Sequence, residues 1–289
     1  MRAIEPALDT EIARAKVNLT LHVTGRRPDG YHLLDSLVVF PDLGDVLTVE
    51  RAGTLSLTLD GPYALDLSAD ADNLVLRAAE RLSRSRGAAL HLSKTLPVAS
   101  GIGGGSADAA AAIRLLARHW DLPLPERGEL TALGADVPVC LASTPQRMRG
   151  IGEVLAPLPE LPPFWIVLVN PNRPVPTGPV FAALETVHGG PCAVPERVRD
   201  FAELVGCLAA QRNDLEGPSR ALCPPIGEVL AALEGQQDCA LARMSGSGAT
   251  CFGLFQREGH ALAAAEAMRR AAPDWWVSAA PVRGSKSGR

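Results

Sequence analysis

Residues Pro97–Ala112 read PVASGIGGGSADAAAA. A strand-like run, ALHLSKTLP, breaks there into a glycine-rich loop and then into an alanine-rich helix. Gly101, Gly103, Gly104 and Gly105 lack a Cβ, so the backbone can take positive φ and turn several N–H groups toward one anion. The helix starting near Ser106 adds the positive end of its dipole. Such a cradle suits a nucleotide polyphosphate. A Walker loop needs Lys and then Ser or Thr after the last glycine, where this chain has Ser106-Ala107, and a dinucleotide-binding G-x-G-x-x-G from Gly101 needs glycine at Ser106. Neither pattern fits. Taken alone, the turn serves tight turning or helix packing equally well, so the rest of the chain decides its meaning.

Working outward, strands and helices mix along the chain. Residues 11–26 alternate in part (Val17, Leu19, Leu21, Val23) and predict a strand, followed by the turn Arg26-Arg27-Pro28-Asp29-Gly30 and a second strand over 31–40. Strands are also predicted over 46–50, 55–59 and 89–96. Asp72-Asn73 caps a helix over 74–84 with Leu74, Ala78 and Leu82 on one face. A helix over 106–119 follows the loop, and a shorter one falls within 126–134. The proline-rich LAPLPELPP at 155–163 reads as a linker, with FWIVLV at 164–169 opening a second block. That block carries helices around 180–186, 195–211 and 225–233, strands at 240–244 and 249–255, a helix over 260–271 and a closing strand near 275–282. The division is therefore 1–158 and 159–289, and the class is α+β.

Composition narrows the function. A chain of 289 residues, 47% hydrophobic with net charge −4, has enough material for one large or two modest domains. No apolar run is long enough to span a bilayer and the N-terminal residues lack an apolar signal core, which predicts a cytoplasmic protein without a membrane partner. Mild acidity without a basic run argues against a nucleic-acid surface. The six cysteines stand twelve or more residues apart with no C-x-x-C, so they read as buried reduced thiols rather than a zinc framework. Of three lysines, Lys16 and Lys94 lie in or just before the motifs, and a compact ammonium at Lys16 suits close approach to a phosphate or hydroxyl. On bare chemistry Lys16 also snorkels to solvent, Lys94 is a solvated strand lysine or a nucleotide contact, and Asp136 in LGADVP is a cap or turn aspartate. Ser106 binds a phosphate or magnesium, caps its helix, or does both. Tyr31 and His32 read as ordinary strand-start residues.

The loop resembles the ATP loop of the GHMP kinases, Pro-x-x-x-Gly-Leu-Gly-Ser/Gly-Ser/Gly-Ser. The resemblance extends in order through ARAKVNLTLHVTGRRPDGYHLLDSLV from Ala13, LGADVPVCL, VPTGPVF, QRNDLE and MSGSGATCFGLF to Phe255. It implies a two-domain fold, an N-terminal ATP-loop domain and a ferredoxin-like C-terminal domain with a cleft between them. It further implies magnesium-ATP held by Pro97, Val98, Ala99, Ser100, Gly101, Ile102, Gly103, Gly104, Gly105, Ser106 and Ala107. The family often has a second serine where Ala107 stands, which leaves the magnesium ligands open. By the same resemblance Asp136 accepts the proton of the attacking hydroxyl beside Lys16. Asn18, Tyr31, His32, Thr177 and Phe181 hold the acceptor, with Tyr31 and Phe181 sandwiching a cytosine and His32 hydrogen-bonding it. The implied acceptor is a cytidine-diphosphate-linked methylerythritol, phosphorylated on its 2-hydroxyl in non-mevalonate isoprenoid synthesis. The competing readings are a homoserine or mevalonate type of kinase, which has no base to stack, and a catalytically inactive nucleotide-binding module, against which Lys16 and Asp136 argue.

Overall fold

The computed structural model describes residues 10–185 and 189–283. The described residues form two compact units interleaved in sequence, one from 10–15, 43–98 and 103–143, the other from 16–42, 99–102, 144–185 and 189–283.

In the first unit, strands Thr10–Arg14, Gly44–Glu50, Ala88–Ser93 and Leu55–Asp60 lie in that order in one sheet. The last pair is parallel, because helix Leu74–Leu82 provides the crossover that a parallel pair requires. Asn73 starts that helix by accepting the Val75 N–H at 2.9 Å. Helix Gly104–Trp120 packs on Leu74–Leu82, on helix Val137–Ala142 and on the sheet. Its alanines 109–112 are fully buried, so a small side chain at each lets the helix approach closely.

The second unit holds two sheets. Phe164–Asn170, Leu241–Met244, Cys251–Phe255 and Trp276–Val282 make an antiparallel sheet in which Phe164–Asn170 sits between Cys251–Phe255 and Trp276–Val282. Helices Pro225–Glu234 and Glu258–Ala271 cover it, and Val167, Val169, Ile226, Leu233, Phe255 and Ala265 are among its core. The order strand, helix, two strands, helix, strand is the ferredoxin-like arrangement. The other sheet runs Val17–Asn18, His32–Val39, Gln146–Gly150, Val154–Pro157, with His22–Arg26 also on His32–Val39.

Several sequence expectations shift. The single strand over 11–26 is three short strands, since Thr10–Arg14 pairs with Gly44–Glu50 whereas Val17–Asn18 pairs with Val38 and Val39. The linker over 155–163 begins inside strand Val154–Pro157, which pairs with Gln146–Gly150. The helix over 195–211 begins only at Phe201, where Asp200 accepts the Glu203 N–H at 2.9 Å. The helix expected over 180–186 is Thr177–Ala182, and Thr186 lies outside the described residues. A cut at 158/159 also runs through the second unit, which takes in residues 16–42 and 144–158 as well as those after the cut.

Candidate active site

The glycine loop turns through positive φ at Ala99 (50°), Gly101 (77°) and Gly103 (65°). Helix Gly104–Trp120 starts two residues earlier than its sequence suggests, with Gly103 at the N-cap in the left-handed region. Ser106 is therefore a first-turn residue rather than the cap, and the N–H groups of the first turn have no partner inside the helix. Gly104 and Gly105 are helical, so left-handed freedom is not what glycine supplies there. A Cβ on Gly104 would stand 3.2 Å from Lys94 Nζ.

Lys94 is 2% exposed and is not the solvated lysine its strand position suggests. Its Nζ donates to Asp45 Oδ2 at 2.5 Å and to Asp108 Oδ2 at 2.7 Å. Asp45 Oδ1 accepts the N–H groups of Thr95 (2.6 Å) and Leu96 (2.8 Å), which fixes the backbone leading into the loop. The two carboxylates outweigh burial and raise the Lys94 pKa. Burial, with the like charge of Asp45, pushes Asp108 up to about 7 against the pull of Lys94. Asp108 Oδ1 is buried with no hydrogen-bond partner. Asp108 lines a cavity of about 280 Å³ together with Asp66, Asn73, Leu74, Leu92 and Gly105. Sequence reasoning missed this pocket, whose walls come from separated segments.

Asp136 stands at the N-cap position of Val137–Ala142 with Pro138 in the first turn, and its side chain does not cap that helix. The backbone carbonyl does the local work, accepting the Cys140 N–H at 3.0 Å. Nearby in the same unit, a Cβ on Gly134 would meet Ser106 Oγ at 3.5 Å, so the turn before Asp136 lies against the first turn of the loop helix.

Within the second unit, buried Lys16 donates its backbone N–H to the Ile102 carbonyl at 2.9 Å, tying the Lys16 strand to the loop. Asn18 is also buried. Its N–H donates to Ser245 Oγ (3.0 Å), its Nδ2 donates to Ser36 Oγ (2.7 Å), and its Oδ1 has no partner. The SGSG turn at 245–248 presses on the loop. Ser245 Oγ donates to the Gly101 carbonyl at 3.0 Å, Thr250 N–H donates to the Ser100 carbonyl at 3.1 Å, and a Cβ on Gly101 would stand 2.6 Å from the carbonyls of Ser245 and Gly248. Only glycine fits Gly101 on both counts. Thr177 and Ser247 hydroxyls pair at 2.9 Å, fixing the start of the helix that carries Phe181.

The expected cytosine sandwich sets Tyr31 and Phe181 on opposite faces of a base, and the two rings differ in their surroundings. Phe181 stacks on His32, with ring centroids 5.0 Å apart and planes at 20°, while Tyr31 is 61% exposed. Burial and then Arg26 lower the His32 pKa, which favours the neutral ring. Of the expected acceptor residues, His32 and Phe181 meet directly, and Asn18 and Thr177 both meet the 245–248 turn. Among the described residues no cluster of His, Cys, Asp and Glu is built to hold a metal ion by itself, and no helix is long and apolar enough to cross a membrane.

The model for the N-terminal domain of GHMP kinases matches residues 73–152, and the model for the C-terminal domain of the same kinases matches residues 188–274. A 4-diphosphocytidyl-2-C-methyl-D-erythritol kinase of Cereibacter sphaeroides is 57% identical over 276 residues, covering 94% of this chain and 98% of its own. Its counterpart in Paramagnetospirillum magneticum is 53% identical over 277 residues, with 93% and 97% covered. A crystal structure of 4-(cytidine 5'-diphospho)-2C-methyl-D-erythritol kinase superposes with TM-score 0.76 at 36% identity, covering 96% of this chain and all of that one.

Proposed function

This chain belongs to the GHMP kinase family, and from that premise we propose that it transfers the γ-phosphoryl group of ATP to the 2-hydroxyl of 4-diphosphocytidyl-2-C-methyl-D-erythritol, a cytoplasmic step of isoprenoid precursor synthesis. The geometric observation that carries the choice of acceptor is the His32–Phe181 ring pair, since stacked rings serve a planar base and have nothing to offer homoserine or mevalonate.

Phosphoryl transfer needs positioning and charge compensation more than covalent help. The first-turn amides of Gly104, Gly105 and Ser106, with the dipole of a 17-residue helix behind them, receive the phosphates. The cavity beside Gly105 and Asp108 receives the base end of ATP, where the unpartnered Asp108 Oδ1 hydrogen-bonds the ligand. Asp136 accepts the proton of the acceptor hydroxyl as the new O–P bond forms and the bond to the departing ADP breaks. Lys16 supplies positive charge for the phosphoryl oxygens. Cytosine stacks on the His32–Phe181 pair, and exposed Tyr31 closes over the other face. Asn18 and Thr177 contact the rest of the acceptor.

The hard oxygen of Ser106 would suit magnesium, which keeps most of its water and takes few protein ligands beside a nucleotide. Bound there, magnesium neutralises charge on the polyphosphate. The test is a panel of acceptors (the cytidyl methylerythritol ester, homoserine, mevalonate and galactose) with magnesium-ATP. ADP release is expected with the cytidyl ester alone, and turnover of homoserine or mevalonate in its place overturns the assignment.

A further inference from the structure

Residues 189–193 form neither helix nor strand, yet side chains from elsewhere in the second unit grip their backbone. Arg212 Nη2 donates to the Gly189 carbonyl at 3.0 Å, and His22 Nδ1 lies 3.3 Å from the Gly190 carbonyl. Asp35 Oδ2 accepts the Cys192 N–H at 3.1 Å, Arg147 Nη2 donates to the Cys192 carbonyl at 3.4 Å, and Gln211 Nε2 donates to the Ala193 carbonyl at 3.0 Å. An irregular segment whose backbone polar groups are met by long-range side chains is held in one place rather than left to solvent.

Asp35 is the centre of this clasp. It is 2% exposed, and its carboxylate takes both Nε (2.8 Å) and Nη2 (2.5 Å) of Arg147 in a fork. Its own backbone carbonyl accepts the Cys192 thiol at 2.9 Å. Strand His32–Val39 is already paired along both edges, by His22–Arg26 and by Gln146–Gly150. What the carboxylate adds is therefore the attachment of the 189–193 segment. That segment follows the helix bearing Phe181, and His32 lies three residues before Asp35 on the strand.

We propose that Asp35 is a positioning residue for acceptor recognition, clasping the segment behind the Phe181 helix to the strand that carries His32 and so setting the ring pair against which the base stacks. The inference rests on the assignment of that pair to the acceptor base. It concerns neither the phosphate loop nor the reacting atoms, so Asp35→Asn is expected to raise the KM for the cytidyl acceptor roughly tenfold, the effect of losing a charge-assisted hydrogen bond. The KM for ATP and kcat stay within about twofold, the pattern of lost uniform binding. Cys192→Pro deletes the N–H that Asp35 accepts, together with the thiol bonded to its carbonyl, and gives the same split. In a Phe181→Ala background the Asp35→Asn penalty disappears, because both changes remove one effect. Unchanged acceptor KM in both Asp35→Asn and Cys192→Pro, or full additivity with Phe181→Ala, overturns the proposal. A Phe181→Ala single variant with unchanged acceptor KM overturns the base-site assignment itself, and the inference with it.

Discussion

Asp136→Asn keeps the size of the side chain and the backbone carbonyl that serves the Val137–Ala142 helix, but removes the carboxylate proposed as proton acceptor. Single-turnover transfer should fall by about 10² to 10⁴, the usual contribution of a positioned general base, with ATP affinity retained. Lys16→Met should produce a comparable loss, and near wild-type turnover in either variant removes that residue from the mechanism. Asp108 makes a different prediction. Its carboxyl ionises near 3.8 in an unfolded chain and near about 7 in the fold, so the folded state holds a proton that the unfolded state has lost. The stability lent by that proton is full below 3.8 and is lost as pH rises through about 7. Asp108→Asn should flatten the change in melting temperature between acid and neutral pH, and a profile identical to wild type shows that Asp108 is ionised throughout. Lys16 and Asp136 stand out as candidates at this scale because they sit in motifs. Lys94 does not, since a strand lysine looks solvated until Asp45, 49 residues away, is seen to close on it.

Among the elements, the loop from Ala99 to Gly103 depends most on conformations that side chains resist. Gly103→Val puts a branched residue at φ 65° where the helix begins, and binding of a non-hydrolysable ATP analogue should vanish in calorimetry. Gly103→Asn should lose less, since asparagine tolerates the left-handed region. Equal losses would mean that bulk, rather than backbone strain, is what the site rejects. The aromatic pair makes a separate prediction. Phe181→Ala and Tyr31→Ala should each weaken the cytidyl acceptor by about 1 to 3 kcal/mol, as for bases stacked on aromatic rings elsewhere. KM for ATP should not follow, and an acceptor KM unmoved in both variants counts against base stacking. The helix start capped by the Asn73 side chain was readable. The start at Phe201 was missed because apolar spacing continues upstream of Asp200, and only the observed bond from Glu203 N–H marks the cap. The stacking of Phe181 on His32 was not read from the sequence, because Phe181 lies 149 residues beyond His32 and no local pattern joins them.

Taken as a whole chain, the order of strands and helices after residue 163 was enough to expect an α+β block, and the resemblance to the GHMP kinases is what made it ferredoxin-like. The interleaving was hidden, since nothing local in residues 16–42 says that their partners lie beyond residue 143. A fragment of residues 159–289 should therefore lack a cooperative unfolding transition even though all four strands of its sheet are present. Buried Arg243 would lose the Leu19 carbonyl, Asp214 would lose the Val23 N–H at 2.7 Å, and Ser245 Oγ would lose the Asn18 N–H. Each orphaned buried group costs about 1 to 3 kcal/mol, against a typical net stability of only about 5 to 15. Calorimetry of the fragment decides, and a sharp two-state melt would show that residues 159–289 are self-sufficient.

Interleaving also puts the molecule under a constraint of time during its synthesis. Strand His32–Val39 can pair with His22–Arg26 as soon as both leave the ribosome, but its other edge waits for Gln146–Gly150. At ~5–20 residues per second that delay is on the order of 5 to 20 s. Through it the apolar run Leu37, Val38, Val39 and Phe40, buried in the finished protein, hangs on a nascent chain with an open edge, the kind of surface that recruits chaperones and seeds aggregates. Rare codons between residues 40 and 146 would lengthen this exposure, and a coding sequence that hurries the ribosome across that interval should raise the soluble yield without changing a single amino acid.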